Sequence, residues 1–482
     1  MKLTEFIGYD REGSIKELPT TLNKGKLGTF DITIAALGFN APAWVAASSM
    51  SILYSIMGHS APLTILIAYF FPMLVLALSM VYLTRQAPSS AGVFTFASKF
   101  IHPDAATVLG WTYIAACATV VPMTTLIGTA YIQAMIPSLQ GVVLAKVIGT
   151  IMLLFFFLIA LRSIEVTAKL ASIFLIFEIF VVAGLGVLGI INPHVENLSL
   201  LSMYTPSEGG WSAIGPGVLF GVWMLANFDS TINFIEEAKV PVRTIQRSLL
   251  LVLSSAFLIY SLAAIGWQYA VPVETLSAIV ENGNGGPIAA VAKEYLPSSL
   301  TWIALFVVIT SAAAGMQISM SSGTRTAYRM SQEGHMPSFF GKVNKAKAPW
   351  VSSAIITSWS IAIIWFKPIV KLQWYYDVIT ITLVISYITV LLSFMIAMFR
   401  RFSAGKAAMA SALPLLAMGV LGYIGYTAGA KPVNPDDLYS AWYIGAFVLF
   451  TGLLWVLYGK MKMKNRTETT NSWKKETEIT PE

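Results

Sequence analysis

The sequence is poor in cysteine, histidine and charged side chains. Its 482 residues include one Cys, four His and only 11% Asp, Glu, Lys and Arg. A single Cys cannot form an intramolecular disulfide bond, and the scattered His have no spacing typical of metal ligands. The apolar segments also contain no Ser–His pair, Asp dyad or metal motif of the kind that an enzyme would need. We therefore expect no metal, no cofactor and no catalytic residues.

Apolar residues make up 56% of the chain, which exceeds their share in typical soluble domains. A helix needs about 20 apolar residues to cross the hydrocarbon core of a bilayer. On that criterion we predict an all-α polytopic membrane protein with twelve transmembrane helices. The predicted spans are about 28–57, 61–83, 107–137, 141–161, 166–191, 213–235, 248–270, 301–325, 350–366, 374–399, 407–429 and 439–459.

Lysine and arginine are unevenly distributed between the predicted loops. Most of the 31 Lys and Arg lie in the N-terminal tail, in every second loop and in the C-terminal tail. Because cytoplasmic loops are enriched in these residues, both termini are predicted to be cytoplasmic. The expected location is the plasma membrane. The formal net charge of +7 therefore reflects topology in a lipid bilayer, and no nucleic acid partner is expected.

Two predicted helices contain residues that interrupt an apolar helix near its middle. The first carries "GFNAP" within "ALGFNAPAWVAA", residues 36–47. The second, "GVWMLANFDSTINFIEEAKVP" at residues 221–241, places Asn227 and Asp229 inside an apolar stretch. These are the first and sixth predicted helices, which hold matching positions in two sets of five. Paired interrupted helices of this kind indicate an inverted-repeat transporter with its binding site near the middle of the bilayer.

The repeat also predicts how the chain is divided. Because five is an odd number of crossings, the second set must be inverted in the membrane relative to the first. We predict a cytoplasmic tail at 1–27, a 5+5 inverted-repeat core at 28–399 with halves at 28–191 and 213–399, two further helices within 400–460, and a cytoplasmic tail at 461–482.

The two breaks suggest a ligand that carries both charges. Backbone groups freed inside a membrane must be buried in protein or line a cavity. Pro42 is suited to begin the outer half of the first helix and Asn40 to cap it, so that free amides there suit a carboxylate. The outer half of the sixth helix ends near Leu225 or Ala226, where free carbonyl groups suit an ammonium group. The alternative for "GFNAP" is an ordinary kink. The predicted substrate-binding residues are Gly38, Phe39, Asn40, Ala41, Pro42, Leu225, Ala226, Asn227, Phe228 and Asp229.

Glu178, in "SIFLIFEIFVVAG", lies about twelve residues into the fifth predicted helix. An ionisable group at the bilayer centre costs at least ~2.5 kcal/mol to insert, so it should face the protein interior. We predict that Glu178 couples transport to protons. The alternative is a protonated, structural Glu that is hydrogen-bonded to backbone carbonyl groups of the broken first helix.

The other charged residues have two interpretations each. Asp229 either balances a substrate amine or caps the second half of the sixth helix. Glu236 and Glu237 with Arg325 either form an inner gate of ion pairs or are solvated interfacial charges. Further candidates to line the site or passage, each also an ordinary residue of a membrane helix, are Tyr113, Ser311, Ser319, Ser322, Trp374 and Tyr387.

Three stretches resemble motifs of the amino acid-polyamine-organocation superfamily. They are "APSSAGVFTFASKF" after the second helix, "ANFDSTINFIEEAKVPVRTIQRSLL" at the sixth and "SSGTRTAYRMSQEGHMP" after the eighth. The similarity extends over about 27–401 and implies a leucine-transporter-type fold, with Phe228 as an aromatic gate over the substrate. The sequence departs from the family where "GFNAP" replaces Gly-Ser-x-x-Gly and where Asn227 replaces Gly. On the fifth helix, Glu178 stands where the family has a Lys.

The combined expectation is an amino acid permease, a secondary active transporter that works by alternating access with the proton as its coupling ion. The resemblance implies proton-coupled, sodium-coupled or exchange transport. An amino acid/amine exchanger and a polyamine or organic-cation transporter are the alternatives. Several acidic residues at the site would favour a polyamine, and only Asp229 and Glu178 are available. A channel is disfavoured because two inverted breaks in one chain indicate alternating access.

Overall fold

The protein is described here from a computed structural model that covers residue 25 and residues 27–477, apart from 163, 207–209, 278–285, 347, 367–371 and 433–434. Within the helices, the side chains at 39, 164–173, 210–213, 372–373 and 462–477 lie outside that description. Most of the predicted tail at 1–27, the end of the predicted tail at 461–482 and the side chain of Phe39 therefore lie outside it as well.

The described part of the chain is helical, and its one β-type contact is an isolated bridge between Leu27 and Ala238. The α-helices are α1 (Thr29–Asn40), α2 (Pro42–Met57), α3 (Ala61–Ala68), α4 (Leu74–Gln86), α5 (Gly92–Phe100), α6 (Pro103–Met135), α7 (Val142–Ala160), α8 (Ile164–Ile191), α9 (Gly210–Leu225), α10 (Pro241–Ala270), α11 (Val273–Leu276), α12 (Gly286–Tyr295), α13 (Trp302–Gln332), α14 (Trp350–Phe366), α15 (Leu372–Arg401), α16 (Ala404–Ala430) and α17 (Ser440–Thr477). Short 3-10 helices include Gly58–Ser60, Phe228–Phe234 and Ser338–Gly341.

The helices are long and apolar enough for a polytopic membrane protein, and this predicted class is confirmed. Among the described residues, nine stretches could cross a bilayer by length and composition. They are Pro42–Gln86, Pro103–Met135, Val142–Ala160, Phe174–Ile191, Pro241–Ala270, Trp302–Gln332, Trp374–Arg401, Ala404–Ala430 and Pro435–Met461. Two shorter apolar helices are Thr29–Gly38 and Trp350–Phe366.

The observed helices differ from the predicted spans for local reasons. The second predicted span, 61–83, consists of α3 and α4 joined by a π-helical turn, Tyr69–Met73, that contains Pro72. The eighth, predicted at 301–325, continues as α13 to Gln332. Polar residues do not end a helix by themselves, and the first strong stop signal after 325 is Gly334, which adopts a φ of 86°.

The interrupted first span lies at the centre of the packing. Helix α1 packs against α8 and α10, and α2 packs against α9 and α13. Trp44 and Met50 of α2 are almost fully buried. In contrast, α7 and α16 expose large apolar side chains such as Phe155 and Leu413. Because lipid tails are as apolar as these side chains, such outer faces suit a bilayer and leave the polar groups to the interior.

The backbones of α8 and α10 come into direct contact at glycines. A Cβ atom added at Gly266 would overlap the carbonyl oxygen of Gly186, and one added at Gly189 would overlap the carbonyl oxygen of Gly266. Small residues allow membrane helices to approach this closely. The contact fixes α8 and α10 relative to each other on one side of α1.

Gly266→Ala is therefore expected to destabilise the protein by at least about 3 kcal/mol, the upper end of the usual cost of overpacking. The overlap is with backbone atoms, which cannot move aside as a flexible side chain can. Thermal unfolding in detergent measures the effect. Gly184→Ala on α8 is the matched control, because nothing lies within 4 Å of a Cβ atom added there. A melting temperature for Gly266→Ala equal to that of wild type would contradict the close contact.

Candidate functional site

The first break separates α1 from α2 at Ala41. This residue adopts a left-handed conformation with φ 54° and ψ 61°, and its N–H donates to the carbonyl of Gly38 at 3.3 Å. Pro42 is the first residue of α2. Proline cannot continue a helix, because it has no N–H and its ring clashes with the preceding turn, but it is suited to begin one. The sequence "GFNAP" therefore interrupts the helix where it was predicted to.

The second break follows α9. Helix α9 ends at Leu225, Asn227 is left-handed with a φ of 66°, and a 3-10 helix runs over Phe228–Phe234. Asparagine tolerates this backbone conformation better than most residues with a side chain. All side chains of the 3-10 helix are buried, and Phe228 is 0% exposed. The predicted interruption is present here too.

Asn40 joins the two breaks. Its Nδ2 donates to the carbonyl oxygen of Ala226 at 2.7 Å, and its Oδ1 accepts from the hydroxyl of Tyr260 at 2.6 Å. The prediction that Asn40 caps α2 is wrong, since Ala41 is the N-cap residue and no side chain makes a capping bond. The carboxamide of Asn40 turns away from α2 because it forms its hydrogen bond with the Ala226 carbonyl at the end of α9. Sequence reasoning did not find Tyr260.

The first amides of α2 have protein partners. Ala43 N–H donates to Oε2 of Glu178 at 3.3 Å, and Trp44 N–H donates to the hydroxyl oxygen of Ser311 at 3.0 Å. The Ser311 hydroxyl in turn donates to the same Oε2 at 2.6 Å. The prediction of free amides at this helix start is therefore wrong. A carboxyl group of the protein occupies the position where a ligand carboxylate was expected.

Glu178 is fully buried in α8. Its recorded partners are donors, whereas the alternative prediction had it bonded to backbone carbonyl groups. A carboxylate oxygen at a helix N-terminus is stabilised by the unpaired amides and by the positive end of the helix dipole. Its second oxygen, Oε1, is buried without a hydrogen-bond partner among the described residues. That arrangement leaves one oxygen able to take up a proton.

Asp229 is held by two tyrosines. Its Oδ2 accepts from Tyr113 of α6 at 3.2 Å, and its Oδ1 accepts from Tyr387 of α15 at 3.1 Å. The predicted capping role is wrong, because Asn227 is the N-cap residue of the 3-10 helix and no side-chain capping bond is present. Both tyrosines were among the predicted site-lining residues. The three side chains connect the second break to two other helices.

The residues of the predicted inner gate take part in two separate contacts. Arg325 forms an ion pair with Glu237 at 2.8 Å, and the side chains of both are more than nine-tenths buried. Arg325 also donates to the carbonyl of Asn233 at 2.6 Å. Glu236 instead accepts from the Ser90 hydroxyl at 2.6 Å. The turn after the 3-10 helix is thereby tied to α13 through Glu237 and to the segment before α5 through Glu236.

An aromatic cluster lies beside the breaks, in the helices that adjoin them. Trp44 of α2 and Trp223 of α9 have ring centroids 6.2 Å apart, and Tyr376 of α15 is 5.3 Å from Trp223. The indole N–H groups of both tryptophans are buried and have no hydrogen-bond partner within the described structure. Buried donors normally find a partner in protein, water or a ligand. The sequence pattern did not single out these aromatic residues.

Of the remaining predicted residues, Ser322 accepts from Nδ2 of Asn233 at 2.7 Å, and Trp374 packs edge-on against Tyr375. Within the described part of the chain, no group of three or more His, Cys, Asp and Glu could hold a metal ion. The residues that the structure brings together are thus those of the two breaks, with Glu178, Ser311 and Tyr260 around them.

The fold is that of a polytopic helical membrane protein. Its family and the names of its relatives make it a transporter and not an enzyme. The chain belongs to the amino acid permease family, which matches residues 27–458, within the amino acid-polyamine-organocation superfamily that its motifs resemble.

Individual relatives have diverse names. The chain is 23% identical over 265 residues to the uncharacterized amino acid permease YecA of Bacillus subtilis, covering 55% of this chain and 59% of the relative. It is 25% identical over 278 residues to the low-affinity putrescine importer PlaP of Escherichia coli, covering 56% and 59%. It is 25% identical over 249 residues to the aspartate-proton symporter of Bacillus subtilis, covering 49% and 46%. The chain thus spans about half the length of the curated relatives that it matches.

Proposed function

We propose that this protein is a secondary active transporter that moves amino acids across the plasma membrane by alternating access. The observation that carries the proposal is the direct contact between two interrupted helices, in which Asn40 at the first break donates to Ala226 at the second. Backbone freed inside a membrane is tolerated only where protein or a cavity satisfies it. Paired breaks at one depth are the arrangement in which transporters hold substrates.

The site has two chemical poles that suit a zwitterion. The carbonyl of Ala226 accepts hydrogen bonds at the end of α9, and the amides of Ala43 and Trp44 donate them at the start of α2. An amino acid carries an ammonium and a carboxylate group close together, and it uses both poles by displacing their protein partners, Asn40 from the Ala226 carbonyl and Glu178 and Ser311 from the two amides. The buried indole N–H groups beside the breaks are further donors without a protein partner in the described structure. In this proposal, Gly38–Pro42 and Leu225–Asp229 surround the substrate.

Proton coupling is assigned to Glu178. It is fully buried, lies at the start of α2 and has one unpartnered oxygen in the described structure. Protonation changes the charge at the helix terminus and therefore weakens the attraction between Glu178 and the amides of α2. That change links proton uptake to the position of the first break. The name of one relative, an aspartate-proton symporter, agrees with this coupling ion.

The proposed architecture is the leucine-transporter-type 5+5 inverted repeat followed by two helices, with twelve spans and both termini in the cytoplasm. Its halves are 28–191 and 213–399. The helices before the breaks, α1 with 12 residues and α9 with 16, are both short, and each break contains one left-handed residue, Ala41 or Asn227, which supports equivalent positions in two repeats. On this topology Arg325 and Glu237 lie toward the cytoplasm and act, with Glu236, as an inner gate.

Transport by the purified protein in liposomes tests the proposal. We expect at least one labelled amino acid to accumulate under an imposed inward proton gradient, and a proton ionophore to abolish the accumulation. Sodium gradients and internal unlabelled substrate serve as parallel conditions. Uptake that requires internal substrate would establish the exchanger alternative. Uptake of putrescine without any amino acid would establish the polyamine alternative, which one relative's name suggests, and an absence of all uptake would overturn transport itself.

A further inference from the structure

The carboxamide of Asn40 occupies the acceptor that the proposed substrate needs. Its NH₂ group donates to the Ala226 carbonyl at 2.7 Å, and both residues are buried. A substrate ammonium group would make the same kind of bond with the same carbonyl oxygen. A carbonyl oxygen has two lone pairs, and Asn40 already donates to one of them, so an ammonium group must either share this buried oxygen with Asn40 or replace it.

The opposite pole is filled in the same way. The carboxyl group of Glu178 accepts hydrogen bonds from the amide of Ala43 and from the hydroxyl of Ser311. Asn40 and Glu178 thus stand at the two poles where the ammonium and carboxylate groups of an amino acid were expected. The protein fills both poles of the site with its own side chains.

Tyr260 holds Asn40 in this position. Its hydroxyl donates to Asn40 Oδ1 at 2.6 Å, which leaves the NH₂ end of the carboxamide directed at Ala226. Tyr260 is fully buried in α10, the helix whose backbone touches α8 at Gly266. The carboxamide is therefore oriented by a rigid neighbour and is not a freely rotating side chain.

We propose that Asn40 is an internal competitor for the substrate's ammonium group at the Ala226 carbonyl, with Tyr260 as its positioning residue. This inference rests on the proposed function. A charged ammonium donor makes a stronger hydrogen bond than a neutral amide does, so it displaces Asn40 where a neutral donor does not. Asn40 thereby weakens the binding of amine-bearing ligands and speeds their release.

Paired ligands that differ only in the ammonium group isolate this competition. The probes are glutamate with glutarate, serine with β-hydroxypropionate, and leucine with isocaproate. Without Asn40, the ammonium group of the amino acid has no competitor at the Ala226 carbonyl. Binding of the partner that lacks the amino group is unaffected. We expect Asn40→Ala to tighten binding of the amino acid about three- to tenfold, the equivalent of one net hydrogen bond. The affinity for the des-amino partner should stay unchanged.

Tyr260→Phe tests the same idea with Asn40 retained. Loss of the hydroxyl frees the carboxamide to turn, so the amino acid should bind more tightly, by a smaller factor than in Asn40→Ala. Tyr54→Phe is the matched control. Tyr54, on α2, is also buried, and its hydroxyl donates to the backbone carbonyl of Ala264 on α10, the helix of Tyr260, at 3.0 Å. Its binding should equal that of wild type.

Competition binding in nanodiscs gives the affinities, and thermal unfolding shows that each variant is folded. Weaker binding of the amino acid by Asn40→Ala would make Asn40 a direct ligand and overturn the proposal. Equal changes for both members of a pair would reduce Asn40 to a structural role and overturn it too. If wild type binds no amino acid and shows no amino acid uptake, the proposed function itself fails. That result differs from the other two, in which wild-type binding is intact.

Discussion

Glu178→Gln is expected to abolish accumulation of amino acid under a proton gradient while leaving exchange across the membrane intact. The glutamine carbonyl oxygen can still accept from Ala43 N–H and from the Ser311 hydroxyl, the two bonds that Oε2 makes. Glutamine has no negative charge and cannot gain or lose a proton, so the variant is fixed in a neutral state that resembles protonated Glu178. The start of α2 therefore keeps its partner, and the first break keeps its geometry.

The expected change is large and can be measured in liposomes. One proton per amino acid supports about tenfold accumulation for each pH unit of gradient, since one pH unit is about 1.36 kcal/mol. The ratio of internal to external substrate should fall to about one in the variant, while counterflow against internal substrate persists.

The control for this experiment is Asp437→Asn. Asp437 is 5% exposed and lies in the 3-10 helix before α17, so the variant neutralises a buried carboxyl group away from the breaks. Its accumulation ratio should match that of wild type. Undiminished proton-driven accumulation in Glu178→Gln would remove the coupling role from Glu178.

The positions of the breaks could be predicted because their causes are local. Pro42 excludes a continuous helix through its own covalent structure. Asn227 precedes an acidic residue inside an apolar stretch, and both features disfavour an uninterrupted membrane helix. The all-α polytopic class follows equally directly from the apolar runs. Neither inference needs to know which helices are neighbours.

The partners of the polar side chains could not be predicted, because they are distant in sequence. Asn40 bonds to Ala226 and Tyr260, which are 186 and 220 positions away. Local rules assigned Asn40 and Asp229 to the nearest helix start, where each residue type is a favoured cap. Once the helices pack, carbonyl and hydroxyl groups of other helices compete for these side chains. In both cases the tertiary partner replaced the local one.

The same packing places both poles of the site under common control. Glu178 lies on α8 and Tyr260 on α10, and these helices touch at Gly186 and Gly266. Through hydrogen bonds, Glu178 holds the start of α2 and Tyr260 holds Asn40 at the end of α1. This pair of helices thus contacts both sides of the first break. In the proposed mechanism, it connects protonation of Glu178 to Asn40, the proposed competitor of the substrate.

Arg325→Met is expected to destabilise the protein by about 3–5 kcal/mol, because it leaves the carboxylate of Glu237 buried without its partner. The pair is joined at 2.8 Å, and the two side chains are 9% and 3% exposed. Glu237→Leu should have a similar effect through the unpaired guanidinium group. The double variant should recover most of the lost stability, since two apolar side chains replace a buried pair at little net cost. Thermal unfolding of all four proteins gives this double-mutant cycle.

Transport by the double variant separates stability from gating. If the pair closes the inner side during each cycle, the double variant should fold normally and still transport at least about tenfold more slowly than wild type, a change of about 1.4 kcal/mol in the barrier.

The matched control is the pair Arg329 and Glu333, one turn further along α13, which is joined at 2.9 Å with side chains 27% and 32% exposed. Its cycle should give at most about 0.5 kcal/mol of coupling. Additive losses for Arg325 and Glu237, or wild-type transport by the double variant, would show that this ion pair does not act as a gate.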